Sequence, residues 1–315
     1  MNRKKKIKLA VIGVGHLGQY HVKNLSSLPD VELVGVMDTN HQRALEISHR
    51  YNVPVIDRYD DLLGKVNGVT VVVPTSHHYE VGKFFLENKI HTLLEKPITS
   101  TLKEASELVQ LAKENNVLLQ VGHVERFNAG MLKLKEYIHD PKFIEGHRLA
   151  PFDPRVKDIG VVMDLMIHDI DIVLSLIHSD ISKIDAVGVR VLTPHEDIAN
   201  ARITFHNGCI VNLTASRVSM QKMRKIRFFQ ENAYFSLDYV KPELEIYRKV
   251  TDGKKTSIQT EQYVFDANES LKKELESFVQ SIQEGNPPVV TGEKAKDALE
   301  VALEITEQIN HLKIQ

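Results

Sequence analysis

The chain has 315 residues, enough for roughly two domains. Forty Lys and Arg against 42 Asp and Glu leave a net charge of −2, which excludes a generally basic nucleic-acid binder. Apolar and charged shares of 42% and 26% exclude long disorder, and a single cysteine, Cys209, excludes a disulfide framework or a Cys-rich metal site and fits a reducing, cytoplasmic setting.

Arg3, Lys4, Lys5 and Lys6 precede the apolar run Leu9 to Val14, an arrangement that superficially resembles a secretory signal. Gly13 and Gly15 break that run too early, so it reads as a buried strand, Ile7 to Ile12, preceded by a solvated basic arm. A helix over Leu17 to Ser27 comes next, then strand Val31 to Met37 and helix His41 to Tyr51. Strands at Val69 to Val73, His91 to Leu94 and Val117 to Val121 alternate with helices at Glu80 to Asn88 and Leu102 to Asn115. Apolar strands without polar alternation, separated by helices, indicate a parallel sheet buried on both faces: the doubly wound α/β pattern, or Rossmann fold.

After Gly122 the rhythm changes, so a first domain is expected over 1–122 and a second over 123–315. Helices are expected at Asn128 to Ile138 and Asp158 to Ile177. Strands are expected at Ile184 to Leu192, Asn200 to Phe205, Cys209 to Ser216, Lys225 to Gln230, Ala233 to Asp238 and Leu244 to Lys249. His206-Asn207-Gly208 between two of them is a hairpin signal, because Asn-Gly tolerates positive φ. Strands in series without helices imply an α+β domain with a mainly antiparallel sheet. Its open face, with Ile203, Phe205, Ile210, Asn212 and Thr214, is a candidate homo-oligomer interface. Helices at Ser270 to Gln283 and Glu293 to Leu312 close the chain, and the last is a candidate to pack back on the first domain. No apolar run approaches the ~20 residues of a membrane span.

Gly13-Val14-Gly15-His16-Leu17-Gly18 is a G-x-G-x-x-G that comes after a strand and opens a helix, the context of a dinucleotide site. The glycines allow a tight turn, close approach of a pyrophosphate and close packing of helix on strand. His16 and Leu17 are candidate cofactor contacts in this turn, and at His16 only the backbone need matter. Asp38, at the end of the second strand, stands where an acid holds a ribose 2′-hydroxyl, and it would repel a 2′-phosphate. NAD is therefore favoured over NADP, with Arg43 one turn on as the group that could compensate. The alternative is a glycine turn with no ligand.

Glu95-Lys96-Pro97 comes after a parallel strand, at the end where open α/β sheets bind ligands. A lysine beside a cationic nicotinamide is suited to proton exchange; the alternative is a surface lysine at a turn. Within the apolar stretch Asp158 to Ile177, Asp164, His168, Asp171 and Ser175 form one polar stripe, spaced four, three and four. They are either functional or a satisfied network in which Asp164 fixes His168 and Asp171 caps a neighbour. The chain has 15 histidines, which raises the question of a metal. An Asp164/His168 metal pair lacks a third ligand at recognisable spacing, and His77 and His78 would point apart, so no metal is expected.

Together, Gly13-x-Gly15-x-x-Gly18, Thr75-x-x-His78, Glu95-Lys96-Pro97, Gly122-His123-x-x-Arg126-Phe127 and Asp164-x-x-x-His168 resemble, over nearly the whole chain, the Gfo/Idh/MocA oxidoreductases. The resemblance implies a Rossmann domain followed by a domain with a large open sheet, often as a homodimer or homotetramer. It implies oxidation of a sugar or cyclitol hydroxyl with NAD(P). It makes Lys96 the active-site lysine, His168 the general acid/base and Asp164 its support. Thr75, His78 and Glu95 match positions on the nicotinamide side. The runs around His123 and Asp164 look most like those of nucleotide-sugar dehydrogenases that oxidise C3 of UDP-N-acetylglucosamine, a step toward 3-amino sugars of surface polysaccharide or lipid A. Ala129 departs from that subgroup, where Pro usually stands.

The implied substrate contacts are Lys96, His123, Arg126, Asn128, Asp164 and His168. His168 would take the hydroxyl proton and Lys96 would donate to the same oxygen. Arg126 would pair with the diphosphate; otherwise it pairs with Glu125 or contacts a helix end. A free sugar, an inositol or another cyclic polyol is the alternative substrate, and a non-catalytic NAD-binding regulator the alternative class.

Overall fold

A computed structural model describes residues 6–154, 159–266 and 269–311. The arm at Arg3 to Lys5 and the expected helix start at Asp158 lie outside them. The chain divides into two compact units, Met1–Val124 with Ser270–Asp297, and Glu125–Glu269 with Ala298–Gln315.

In the first unit β1 (Ile7–Ile12), β2 (Val31–Met37), β3 (Gly68–Val71), β4 (His91–Glu95) and β5 (Leu119–Gly122) form a sheet ordered β2-β1-β3-β4-β5. Every pairing is parallel. Helices α1 (Gly18–Ser27), α2 (His41–Tyr51), α3 (His78–Glu87) and α4 (Leu102–Glu114) fall between the strands. Their ends are set locally. Asn40 caps α2 by accepting the Arg43 N–H, and Thr101 and Glu104 form a reciprocal capping box on α4. This parallel arrangement matches the expected one.

Two features of the second half differ from expectation. The helix α7 (Ser270–Glu284), expected in the second domain, packs in the first unit: Leu275, Phe278 and Val279 join the core of Leu9, Val11, Val22 and Leu25. The last helix, α8 (Gly292–His311), does the reverse beyond residue 297. Ala298, Val301, Ala302, Ile305 and Ile309 enter the core of the second unit. An apolar stripe records that a helix is buried, not against which sheet.

The second unit carries an eight-stranded sheet ordered β13-β12-β11-β10-β6-β9-β8-β7. Its strands are β6 (Pro141–Leu149), β7 (Ile181–Val189), β8 (Ile198–Phe205), β9 (Ile210–Ser216), β10 (Met223–Gln230), β11 (Ala233–Asp238), β12 (Glu243–Asp252) and β13 (Lys255–Val264). Only β6–β9 is parallel among these pairings. The Asn207-Gly208 turn joins β8 to β9 with Gly208 at φ 84°. A short helix, α5 (Ala129–Leu134), and the longer α6 (Ile167–Leu176) belong to the same unit. Ile203 and Phe205, expected on the open face, are 1% exposed in the core, whereas Ile210, Asn212 and Thr214 are half-buried on the other face. The β8 register decides this: alternate residues of one strand share a face.

Candidate active site

The end of β1 is built for close approach of a ligand. Gly13 has φ 86°, and a Cβ there would lie 2.5 Å from the Val72 carbonyl oxygen. A Cβ on Gly18 would run into the Gly13 carbonyl. Around Gly15 nothing lies within 4 Å of a built Cβ, so its backbone is open. His16 and Leu17 are exposed at the start of α1. Asp38 accepts the Val14 N–H at 2.8 Å and the Asn40 N–H at 2.9 Å, which fixes the carboxylate beside the turn. Arg43 donates to the Val14 carbonyl at 2.9 Å and pairs with Glu46 at 2.7 Å. A positive-φ turn, an open middle glycine, a helix N-terminus and an anchored acid fit a dinucleotide.

The Lys96 turn lies at the end of β4, with a cis Lys96–Pro97 bond. Lys96 is half-buried. Glu95 and His78 were expected to line the nicotinamide side, but both are buried and engaged with the protein. The Glu95 carboxylate lies 3.1 Å from His21 Nε2 and accepts the Lys96 N–H at 3.2 Å. Burial alone would raise its pKa, but His21 and Lys96 hold it below the usual range. His78 is 1% exposed. Its Nδ1 is 2.8 Å from the Pro97 carbonyl oxygen and its Nε2 3.0 Å from that of Val73. A neutral imidazole has one N–H and satisfies one of these at a time. Burial pulls the ring's pKa down, against the two carbonyls. The ring thus braces the Lys96 turn against the end of β3, with neither nitrogen turned to a ligand. Thr75, half-buried, opens the single 3₁₀ turn before α3. His123, after β5, is 1% exposed.

In the second unit the expected helix over Asp158 to Ile177 is interrupted. A π-helical turn, Val162–Met166, precedes α6. A π turn inserts a residue into the α-helical ladder and rotates the residues on its N-terminal side relative to those on its C-terminal side, a feature frequent at functional sites. Asp164 lies inside it and His168 just beyond, both half-buried. Glu196 fixes the start: its backbone carbonyl accepts the Val161 N–H at 3.0 Å and its carboxylate the Val162 N–H at 3.2 Å. A Cβ at Gly160 would meet that carboxylate, so glycine there lets Glu196 sit against the helix start.

Two arginines tie down the rest of α6. Arg148, 2% exposed on β6, makes a two-pronged pair with Asp169 at 3.0 and 2.8 Å and reaches Glu125 at 2.9 Å. Burial opposes its charge, but the two carboxylates more than offset that. Arg126, expected to hold a substrate diphosphate, is 5% exposed with Nε 2.8 Å from Asp171. Its Nε pairs with the carboxylate of the polar stripe. Asn128, another expected substrate contact, caps α5: its side-chain oxygen accepts the Gly130 and Met131 N–H groups at 2.9 and 3.3 Å. The resemblance implied substrate contacts for these side chains, and in the structure an acid pairs with Arg126 and the α5 backbone bonds Asn128. Arg148, Asp169, Glu196 and His21 were not singled out from the sequence; each gains meaning only from a partner distant along the chain.

Beside Glu196, Asp197 is fully buried and accepts the N–H groups of Val191, Leu192 and Thr193 at 2.8, 2.6 and 2.9 Å. Burial would raise its pKa, but these N–H groups hold it below the usual value. A depressed carboxyl contributes stability above its unfolded value of about 3.9, and that contribution is lost as pH falls through the folded value. Asp197→Asn therefore melts at a lower temperature than wild type at pH 7. The gap begins to narrow below about pH 4 and closes as pH falls through the lower folded value; a gap that persists unchanged in acid refutes the assignment.

Among the described residues no helix is long and apolar enough to cross a membrane, and no group of three or more His, Cys, Asp or Glu residues could hold a metal ion.

Residues 7–123 match the model of the oxidoreductase family with an NAD-binding Rossmann fold, and residues 140–236 match the GFO/IDH/MocA C-terminal domain. A UDP-N-acetylglucosamine 3-dehydrogenase of Acidithiobacillus ferrooxidans is 34% identical over 95% of this chain and 96% of its own. A myo-inositol 2-dehydrogenase of Thermotoga maritima is 25% identical over 93% of each chain. A solved structure of the A. ferrooxidans UDP-N-acetylglucosamine 3-dehydrogenase aligns with a TM-score of 0.91 over 97% of this chain and 98% of that one, at 34% identity. The chain is an oxidoreductase and belongs to the Gfo/Idh/MocA family.

Proposed function

We propose that the protein oxidises the C3 hydroxyl of UDP-N-acetylglucosamine to the 3-keto sugar, with NAD. The observation that carries this reading is 34% identity to a UDP-N-acetylglucosamine 3-dehydrogenase along nearly the full length of both chains. NAD is favoured over NADP by the surroundings of Asp38. A 2′-phosphate would meet this carboxylate, and the nearby Arg43 is already engaged with Val14 and Glu46. One buried cysteine, Cys209, is in keeping with a reducing, cytoplasmic setting.

When bound, NAD supplies the hydride acceptor. Gly15 would give room for its pyrophosphate on the turn that Gly13 and Gly18 permit, and Asp38 would take a ribose hydroxyl. His168 accepts the proton of the C3 hydroxyl as general base. Lys96 donates a hydrogen bond to the same oxygen and stabilises the charge that develops there. Asp164 orients His168 or a neighbouring sugar hydroxyl. His78 and Glu95 hold the Lys96 turn, and Arg126 and Asn128 hold α6 and α5, without touching substrate.

The test is turnover of a panel of UDP-N-acetylglucosamine, free N-acetylglucosamine and myo-inositol with NAD and with NADP, monitored by absorbance of the reduced cofactor. The expected result is turnover of the nucleotide sugar with NAD and a ketone at C3 by NMR. Turnover confined to the inositol or the free sugar overturns the substrate assignment.

A further inference from the structure

One buried ionisable side chain in the first unit has no part in the chemistry above. His21 projects from α1 three residues after Gly18 and is 0% exposed. Its Nε2 lies 3.1 Å from Glu95 Oε1, and the other oxygen of Glu95 accepts the Lys96 N–H at 3.2 Å. Glu95 faces Gly122 across the β4–β5 ladder. A Cβ on Gly122 would stand 2.9 Å from the Glu95 carboxyl carbon, so glycine there makes room for the carboxylate. An ionised carboxylate only accepts, so His21 donates from Nε2. Its Nδ1 is buried with no hydrogen-bond partner among the described residues. An apolar side chain would avoid that unmet nitrogen. The ring is therefore accounted for by the bond from Nε2, not by filling space.

We propose that His21 is the positioning residue through which the dinucleotide-binding helix sets the place of Lys96. The chain of contacts runs from α1 through the imidazole to Glu95, and from Glu95 to the backbone of Lys96. The proposal rests on Lys96 acting at the reacting hydroxyl. Without the imidazole, Glu95 keeps one hydrogen bond and is free to rotate away from the turn.

Three substitutions separate donor from volume. His21→Leu fills the space with no donor. His21→Asn places its amide nitrogen near the Nδ1 position, away from Glu95. His21→Gln places a donor near Nε2. The first readout is hydrogen exchange of the Lys96 amide in the cofactor-free protein. The second is kcat and KM on the substrate the enzyme turns over. His21→Leu and His21→Asn are expected to speed Lys96 exchange and lower kcat by about tenfold each, with KM little changed, and His21→Gln to restore both. If His21→Leu does not fold, the comparison of Asn with Gln carries the test. Unchanged exchange and kcat in the folded Leu or Asn variant, or a Gln variant no better than Asn, overturns the proposal. Lys96→Ala serves as the reference. If it keeps wild-type turnover, the role of Lys96 fails, while the amide exchange still reports whether His21 positions the turn.

Discussion

Lys96→Ala and His168→Ala are each expected to lower turnover by about 10²–10⁴-fold while cofactor affinity stays near wild type. Lys96 comes directly after the last residue of β4, and His168 is the second residue of α6, just past a π turn. Neither belongs to the Gly13–Gly18 turn or to Asp38, the groups proposed to hold the cofactor. Both side chains are half-buried and neither fills a core, so their loss leaves the fold intact. If both serve one proton transfer, the double variant falls little below the worse single one, because groups that act as a unit are not additive. Cofactor titration by the fluorescence of reduced nicotinamide and single-turnover kinetics separate binding from chemistry. Near-wild-type turnover in both single variants would sink the assignment.

How much of this was legible in the sequence depended on where each residue found its partner. β1 to β5 read clearly because strands buried on both faces are continuous apolar runs, and the glycine turn had a strand before it and a helix after. β6 was missed: its inner face carries Ile144, Gly146 and Arg148, so a glycine and a buried arginine hide the alternation. β13 was missed for the opposite reason. It is exposed along almost its whole length and pairs with β12 alone, so it has no apolar face to show. The π turn was not legible, since nothing in Val162–Met166 breaks helical periodicity, and Glu196, which accepts the N–H groups at the helix start, lies more than 30 residues on. In the site, the family resemblance picked out Lys96, Asp164 and His168, which remain the proposed chemistry. It implied ligand contacts for His78, Glu95, Arg126 and Asn128, and in the structure at least one polar atom of each has a protein partner. Residue type fixes what a side chain can bond to; burial decides whether a neighbour has already claimed the bond.

Two glycines of the same turn are expected to respond differently to the same added methyl group. At Gly15 the Cβ would have nothing within 4 Å, and the backbone has no positive φ there, so Gly15→Ala should melt within a degree or two of wild type. That open space is where a pyrophosphate would approach, and a methyl group in it overpacks the bound state by about 1–3 kcal/mol. The expected result is NAD affinity weaker by about 10- to 100-fold with stability unchanged. At Gly18 the Cβ would strike the Gly13 carbonyl, with the Gly13 carbonyl carbon at 2.8 Å. Both atoms are backbone, so no rotamer relieves the clash; β1 and α1 must separate. Val22 and Leu25 on α1 are fully buried and His21 holds Glu95, so this movement disturbs the core and the Lys96 turn together. Gly18→Ala should therefore lose about 1–3 kcal/mol of stability as well as cofactor binding. Calorimetric melting and titration with reduced cofactor check both. A Gly15→Ala protein that binds NAD like wild type would remove the pyrophosphate from this turn. A Gly18→Ala protein with wild-type melting would show that helix and strand do not depend on their close approach.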